Sequence, residues 1–152
     1  MREHARVAVF NHVGQCVTDL HRARRFYQEV FGFEPWREIT PDDSPSDRLL
    51  RLQSPIGLTA CYLRRDGLVL ELLGFAGAGA RPGPPGVRVM NEPGLTHLSL
   101  SVDDLEQTCA AVAAHGGEVL DDTNIGFGVF VRDPEGQLIE LLPMAYRASL
   151  DG

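Results

Sequence analysis

The sequence predicts an α+β fold made of two β-α-β-β-β modules, and three observations predict it. His12 and His97 stand 85 residues apart, each in an apolar, strand-like run. Helix-type segments follow both at the same offset: Thr18 and Asp103 mark their starts, Gly32 and Gly117 their stops. Closing runs "GLVLELL" from Gly67 and "GQLIELL" from Gly136 match at an offset of 69, which sets Glu71 on Glu140. A repeat that holds at both ends of each half fixes the architecture before any single element is assigned.

In the first half an apolar strand covers about 7–17. A helix follows over about 19–31, with Leu20, Ala23, Tyr27 and Val30 on one face at three- and four-residue steps. Gly32 ends it, as a residue that tolerates positive φ. Strands are expected at about 33–39, 48–52, 59–64 and 68–73, the last two joined by the "RRDG" turn. In the second half a strand covers about 95–102. "DDLE" then offers Asp103 and Glu106 as a capping box, and Leu105, Cys109 and Val112 make the helix's apolar stripe. Strands at about 118–121, 127–132 and 137–142 complete it, with "DPEG" turning the last pair. The halves read as one domain over 1–152, with modules at about 6–75 and 94–145 and a Gly/Pro-rich linker at 76–93. Its 18 residues reach roughly 60 Å when extended, so the modules can pair within one chain or across a dimer.

Composition narrows the function. The 152 residues suit one compact domain. A net charge of -7 argues against nucleic-acid and anionic-membrane partners. Three cysteines, Cys16, Cys61 and Cys109, without C-x-x-C spacing, favour reduced thiols. No apolar run approaches the length of a membrane span or a secretory core, so a cytoplasmic location is expected.

Alternation along the strands points to a site. Leu98, Leu100 and Val102 face one way, and His97, Ser99 and Ser101 the other. His12, Gly14 and Cys16 share a face in the first half, although Gln15 then falls on the core side. Glu71 and Glu140 are lone carboxylates among apolar neighbours, and such groups are rarely buried unless paired or bound to a metal. Taken alone, a strand histidine is a hydrogen-bonded structural residue and a strand glutamate an edge charge. Two of each at repeat-equivalent positions call for a common partner, and a divalent cation is one that neutralises both carboxylates and accepts both imidazoles. His12, Glu71, His97 and Glu140 are therefore the candidate metal ligands, and they leave about two of six octahedral positions for water or substrate. His4, His21 and His115 are read as solvated. Trp36 and Tyr62 are read as core, Cys16 as a small thiol bordering the cavity, Asn124–Gly128 as a loop near the site, and the chain from Tyr146 as a tail.

With "HVGQCVTDLHRARRFYQEVFGF", "THLSLSVDDLE" and "RDPEGQLIELL" inside this repeat, the sequence resembles the vicinal oxygen chelate family over about 7–144. That family includes glyoxalase I, methylmalonyl-CoA epimerase, extradiol dioxygenases and fosfomycin or bleomycin resistance proteins. The resemblance implies an open mixed β barrel around one metal, and a homodimer. The four-ligand set is most similar to that of glyoxalase I. It implies a metal-dependent lyase or isomerase that takes a proton from the carbon beside a carbonyl of a small chelated substrate, with Glu71 or Glu140 as the base. The metal is one of Zn, Ni, Co, Mn or Fe. Other members imply three alternatives: an epimerase of acyl thioesters, an iron oxygenase using His12, His97 and Glu140, and a drug-binding resistance protein that needs no metal.

Overall fold

A computed structural model of the protein describes residues 8–77, 79–81 and 89–148. The first half holds β1 (Val13–Cys16), α1 (Leu20–Phe31), β2 (Glu34–Ile39), α2 (Asp43–Leu50), β3 (Leu58–Arg65) and β4 (Leu68–Phe75). The second holds β5 (Leu98–Val102), α3 (Leu105–Ala114), β6 (Glu118–Leu120), β7 (Val129–Arg132), β8 (Leu138–Pro143) and α4 (Met144–Ala148), with a 3-10 turn at Asp121–Thr123. Each half forms a four-stranded mixed sheet, in the orders β1-β4-β3-β2 and β5-β8-β7-β6. β1 pairs parallel with β4 and β5 with β8; the other pairs are antiparallel. β1 and β5 are thus edge strands. The expected linker lies partly outside the described residues, as do His4 and the start of the expected first strand. No helix among the described residues is long and apolar enough to cross a membrane.

Local chemistry fixes the helices. Asp19 caps α1, its carboxylate accepting from Arg22 N at 2.9 Å, and Asp104 caps α3 through Gln107 N at 2.9 Å. The caps fall one residue beyond the expected Thr18 and Asp103, and both move together, so the 85-residue offset survives. Gly32 closes α1 at φ 68 with its N–H on Gln28 O. Its counterpart Gly117 has a different task. In α3 the left-handed position falls to Gly116, at φ 86. A Cβ on Gly117 would lie 2.6 Å from Arg132 O, 2.7 Å from Val112 Cγ1 and 3.0 Å from Phe26 Cε2. Gly117→Ala is therefore expected to cost about 1–3 kcal/mol through overpacking, read as a lower urea midpoint at unchanged slope.

Two expectations fail. The segment expected as a strand at 48–52 belongs mostly to α2, whose Pro45 sits in the first turn, where its missing N–H costs nothing. Leu49 and Leu50 are adjacent and flanked by Arg48 and Arg51, a pattern with no alternation to favour a strand. The chain from Tyr146 does not begin as a tail, because Tyr146 lies inside α4, Met144–Ala148.

The two halves share one core. Ala23, Phe26 and Tyr27 of α1, Val112 of α3, Cys61, Leu63, Leu70 and Leu72 of the first sheet, and Val129, Val131, Ile139 and Leu141 of the second make a single buried cluster. A polar latch ties the halves beside it. Asp133, 3% exposed, accepts from Tyr27 OH at 2.8 Å, Gln15 Nε2 at 2.7 Å, and the N–H groups of Glu135 and Gln137 at 2.9 and 2.8 Å. The neighbouring Glu135 carboxylate takes the N–H groups of Thr18 and Asp19, both at 3.0 Å, and pairs with Arg22 at 3.1 Å. Burial works to raise the Glu135 carboxyl's pKa, but these hydrogen bonds prevail and hold it below the usual range. The misplaced Gln15 of the sequence pattern is thus a bridge to the other half.

Candidate metal centre

His12 and His97 each sit one residue before an edge strand. Register sets their partners. Gly14 lies opposite Glu71, and Ser99 opposite Glu140, across parallel pairs. Since side chains alternate, His12 comes over Glu71 and His97 over Glu140. His12 Nε2 lies 2.7 Å from Glu71 Oε2, and His97 Nε2 3.7 Å from Glu140 Oε1.

Each of these groups has a second partner that orients it. The Nδ1 of His12 meets the side-chain oxygen of Asn11, which orients the ring so that Nε2 is turned toward Glu71. His97 Nδ1 lies 2.7 Å from Thr96 Oγ1. Tyr62 OH donates to Glu71 Oε1 at 2.8 Å, and Ser99 Oγ donates to Glu140 Oε1 at 2.8 Å. Burial, then the bond to Glu71 and its charge, push the Tyr62 phenol up against the opposing pull of Arg37, so it remains a donor. Imidazoles and carboxylates held by outer partners are what a metal site needs to present donor atoms in fixed directions. The donor set, two nitrogens and two carboxylates, suits a borderline divalent cation.

The structure joins His12 to Glu71 and His97 to Glu140, but it does not bring the two pairs together. No three His, Cys, Asp or Glu side chains among the described residues are grouped to hold a metal within the chain. The shared core explains why. Both sheets turn their apolar faces inward against α1 and α3, so the opposite faces, which carry the two pairs, look away from one another.

Three other readings resolve here. Tyr62 is not core: it shares the face of Glu71, edge-on to His12 with ring centroids 5.8 Å apart. Trp36 is 48% exposed and packs edge-on to Tyr62 at 6.1 Å. Cys16 is exposed on this face, and burial together with the charge of Glu135 pushes its thiol up, away from a reactive thiolate. Sequence reasoning missed Arg37, which lies opposite Tyr62 in register, with its guanidinium carbon 5.9 Å from the Trp36 and Tyr62 ring centroids.

Residues 9–141 match the Glyoxalase/Bleomycin resistance protein/Dioxygenase superfamily. A lactoylglutathione lyase of Schizosaccharomyces pombe is 30% identical over 142 residues, covering 87% of this chain and 46% of its own length. This chain therefore spans less than half of the curated relatives it matches. Among solved structures, glyoxalase I of Leishmania major aligns with a TM-score of 0.64 at 26% identity, over 92% of this chain and 91% of that one. A fosfomycin resistance protein of Listeria monocytogenes aligns at 0.59 and 15% identity, over 93% and 97%, a likeness of fold alone. With its two sheets left open and its repeat of β-α-β-β-β modules, the chain belongs to the glyoxalase/bleomycin resistance protein/dioxygenase superfamily.

Proposed function

We propose that this protein is a metal-dependent lyase or isomerase of glyoxalase I type, acting on a small carbonyl compound. Its metal site is built from His12 and Glu71 of one copy and His97 and Glu140 of a second. One observation carries this reading: two matched His–Glu pairs, each oriented by outer partners, are not brought together among the described residues of one chain. A second copy related by a two-fold axis supplies the missing half to both faces at once. It also covers β1 and β5, edge strands whose free backbone groups invite a neighbour.

A bound divalent cation supplies positive charge beside the oxygen on which negative charge builds as the proton leaves. The chain's own residues do the rest. Glu71 has both carboxylate oxygens engaged, one by Tyr62 and one by His12. Glu140 receives Ser99 and faces His97 on Oε1 alone, and its Oε2 has no partner among the described residues. Glu140 is therefore the base that takes the proton beside the carbonyl and returns it. Ser99 holds its other oxygen in place during the transfer.

Co-expression tests the shared site. His12→Ala and His97→Ala chains, each alone, lose metal. Together they regain about a quarter of the wild-type metal content, because about half the dimers are mixed and each holds one site with both histidines. Metal analysis after loading with Zn, Ni, Co, Mn or Fe reads the result. No regain in the mixed protein rules out a site shared between copies.

A further inference from the structure

The open face of the first sheet carries more than the His–Glu pair. Along one row, directly across the strands, lie Gly14, Glu71, Tyr62 and Arg37. The register slips between Pro35 and Arg37, so β2 holds one residue more than β3 there. Such a bulge breaks strict alternation and turns two consecutive side chains to the same side. Trp36 and Arg37 both reach the Tyr62 ring in this way. The guanidinium forms no ion pair among the described residues, although the chain carries 21 Asp and Glu against 14 Lys and Arg. An arginine steadied by aromatic faces, with its donors unspent, is a ready anion receptor.

The second sheet has the equivalent row without the cation. There Ser99, Glu140, Phe130 and Leu120 lie side by side. Phe130 stands edge-on to His97 at 5.2 Å, as Tyr62 stands to His12. The repeat thus keeps an aromatic ring beside each histidine and differs at the outer position, where Leu120 takes the place equivalent to Arg37.

Building on the metal site proposed above, we propose that Trp36, Arg37 and Tyr62 form a subsite that selects the substrate's far end, taking a carboxylate carried on a flat, conjugated group. Arg37 holds the carboxylate through paired N–H donors, and the exposed Trp36 indole covers the flat part. Arg37 and Glu71 lie two strands apart, about 10 Å between backbones, a span that fits a benzene ring bearing a chelating head and a para carboxylate.

Trp36 is the single tryptophan, so its fluorescence reports on this subsite directly. The probes are 4-carboxybenzohydroxamate and its 4-carboxamide analogue, titrated into the dimer with and without Zn. The wild-type protein is expected to bind the carboxylate about tenfold more tightly, the effect of one charge-assisted hydrogen-bonded pair. Arg37→Met and Arg37→Gln should bring the two probes within about twofold of each other, the larger loss falling on the carboxylate. Equal binding of both probes by the wild type, a preference that survives both variants, or no response of Trp36 to either probe would each overturn the subsite. A tenfold preference with affinities for both probes that Zn leaves unchanged keeps the subsite and counts against the metal site, so the two proposals fail separately.

Discussion

Glu140→Gln is expected to lower turnover by about 10²–10⁴-fold, the usual contribution of a positioned general base. Glutamine keeps the size of the side chain and an oxygen that can accept from Ser99, but it cannot take a proton. The readout is solvent deuterium entering the carbon beside the carbonyl of a 2-oxo aldehyde thiohemiacetal, followed with turnover. Both should fall together, because the lost interaction belongs to the transition state. Glu71→Gln should act differently. Its carboxylate is bound at both oxygens, by Tyr62 and His12, so its loss should appear first as weaker metal retention. Exchange that survives in Glu140→Gln and vanishes in metal-loaded Glu71→Gln would reverse the assignment of the base.

The second large effect concerns stability. Asp133→Ala is expected to lower unfolding free energy by about 3–5 kcal/mol, because removing one side of a buried charged network strands its partners. Three donors lose their acceptor, Gln15 Nε2 and the N–H groups of Glu135 and Gln137, and Tyr27 OH is left with Gln15 Oε1 alone. Tyr27→Phe removes a single donor and should cost only about 1 kcal/mol. Burial, followed by the Asp133 charge, already pushes the Tyr27 phenol well above its ordinary range, so it donates throughout the working pH range. Urea unfolding of the two variants measures the difference. Equal losses would mean that Asp133 is held mainly by its own turn and contributes little across the halves.

Much of this was legible in the sequence, for identifiable reasons. A repeat with two fixed ends sets the order of strands and helices, and it aligns His12 with His97 and Glu71 with Glu140 whatever the loops do. Cap positions were off by one because Thr18–Asp19 and Asp103–Asp104 each offer two good caps in succession. The lost strand at 48–52 reflects a short leucine and arginine run that fits either state until Pro45 and the turn of Asp43 toward Ile56 and Gly57 decide it. Which way the two working faces point was not legible at all. That depends on how the helices share a core, and the one hint, Gln15 on the apolar side of its strand, has meaning only once Asp133 is seen beside it. Trp36 and Arg37 were hidden for a related reason. Counting by twos cannot register an inserted residue, so the bulge in β2 moves a tryptophan read as core onto an open surface.

The unlike outer ends of the two rows have one more consequence. In the dimer proposed above, a cleft flanked by arginine and indole on one side and by leucine and phenylalanine on the other would admit a molecule in a single orientation. A proton lifted and replaced by one carboxylate then always crosses the same side of the reacting carbon. Handedness in the product would follow from the divergence of two halves that began alike.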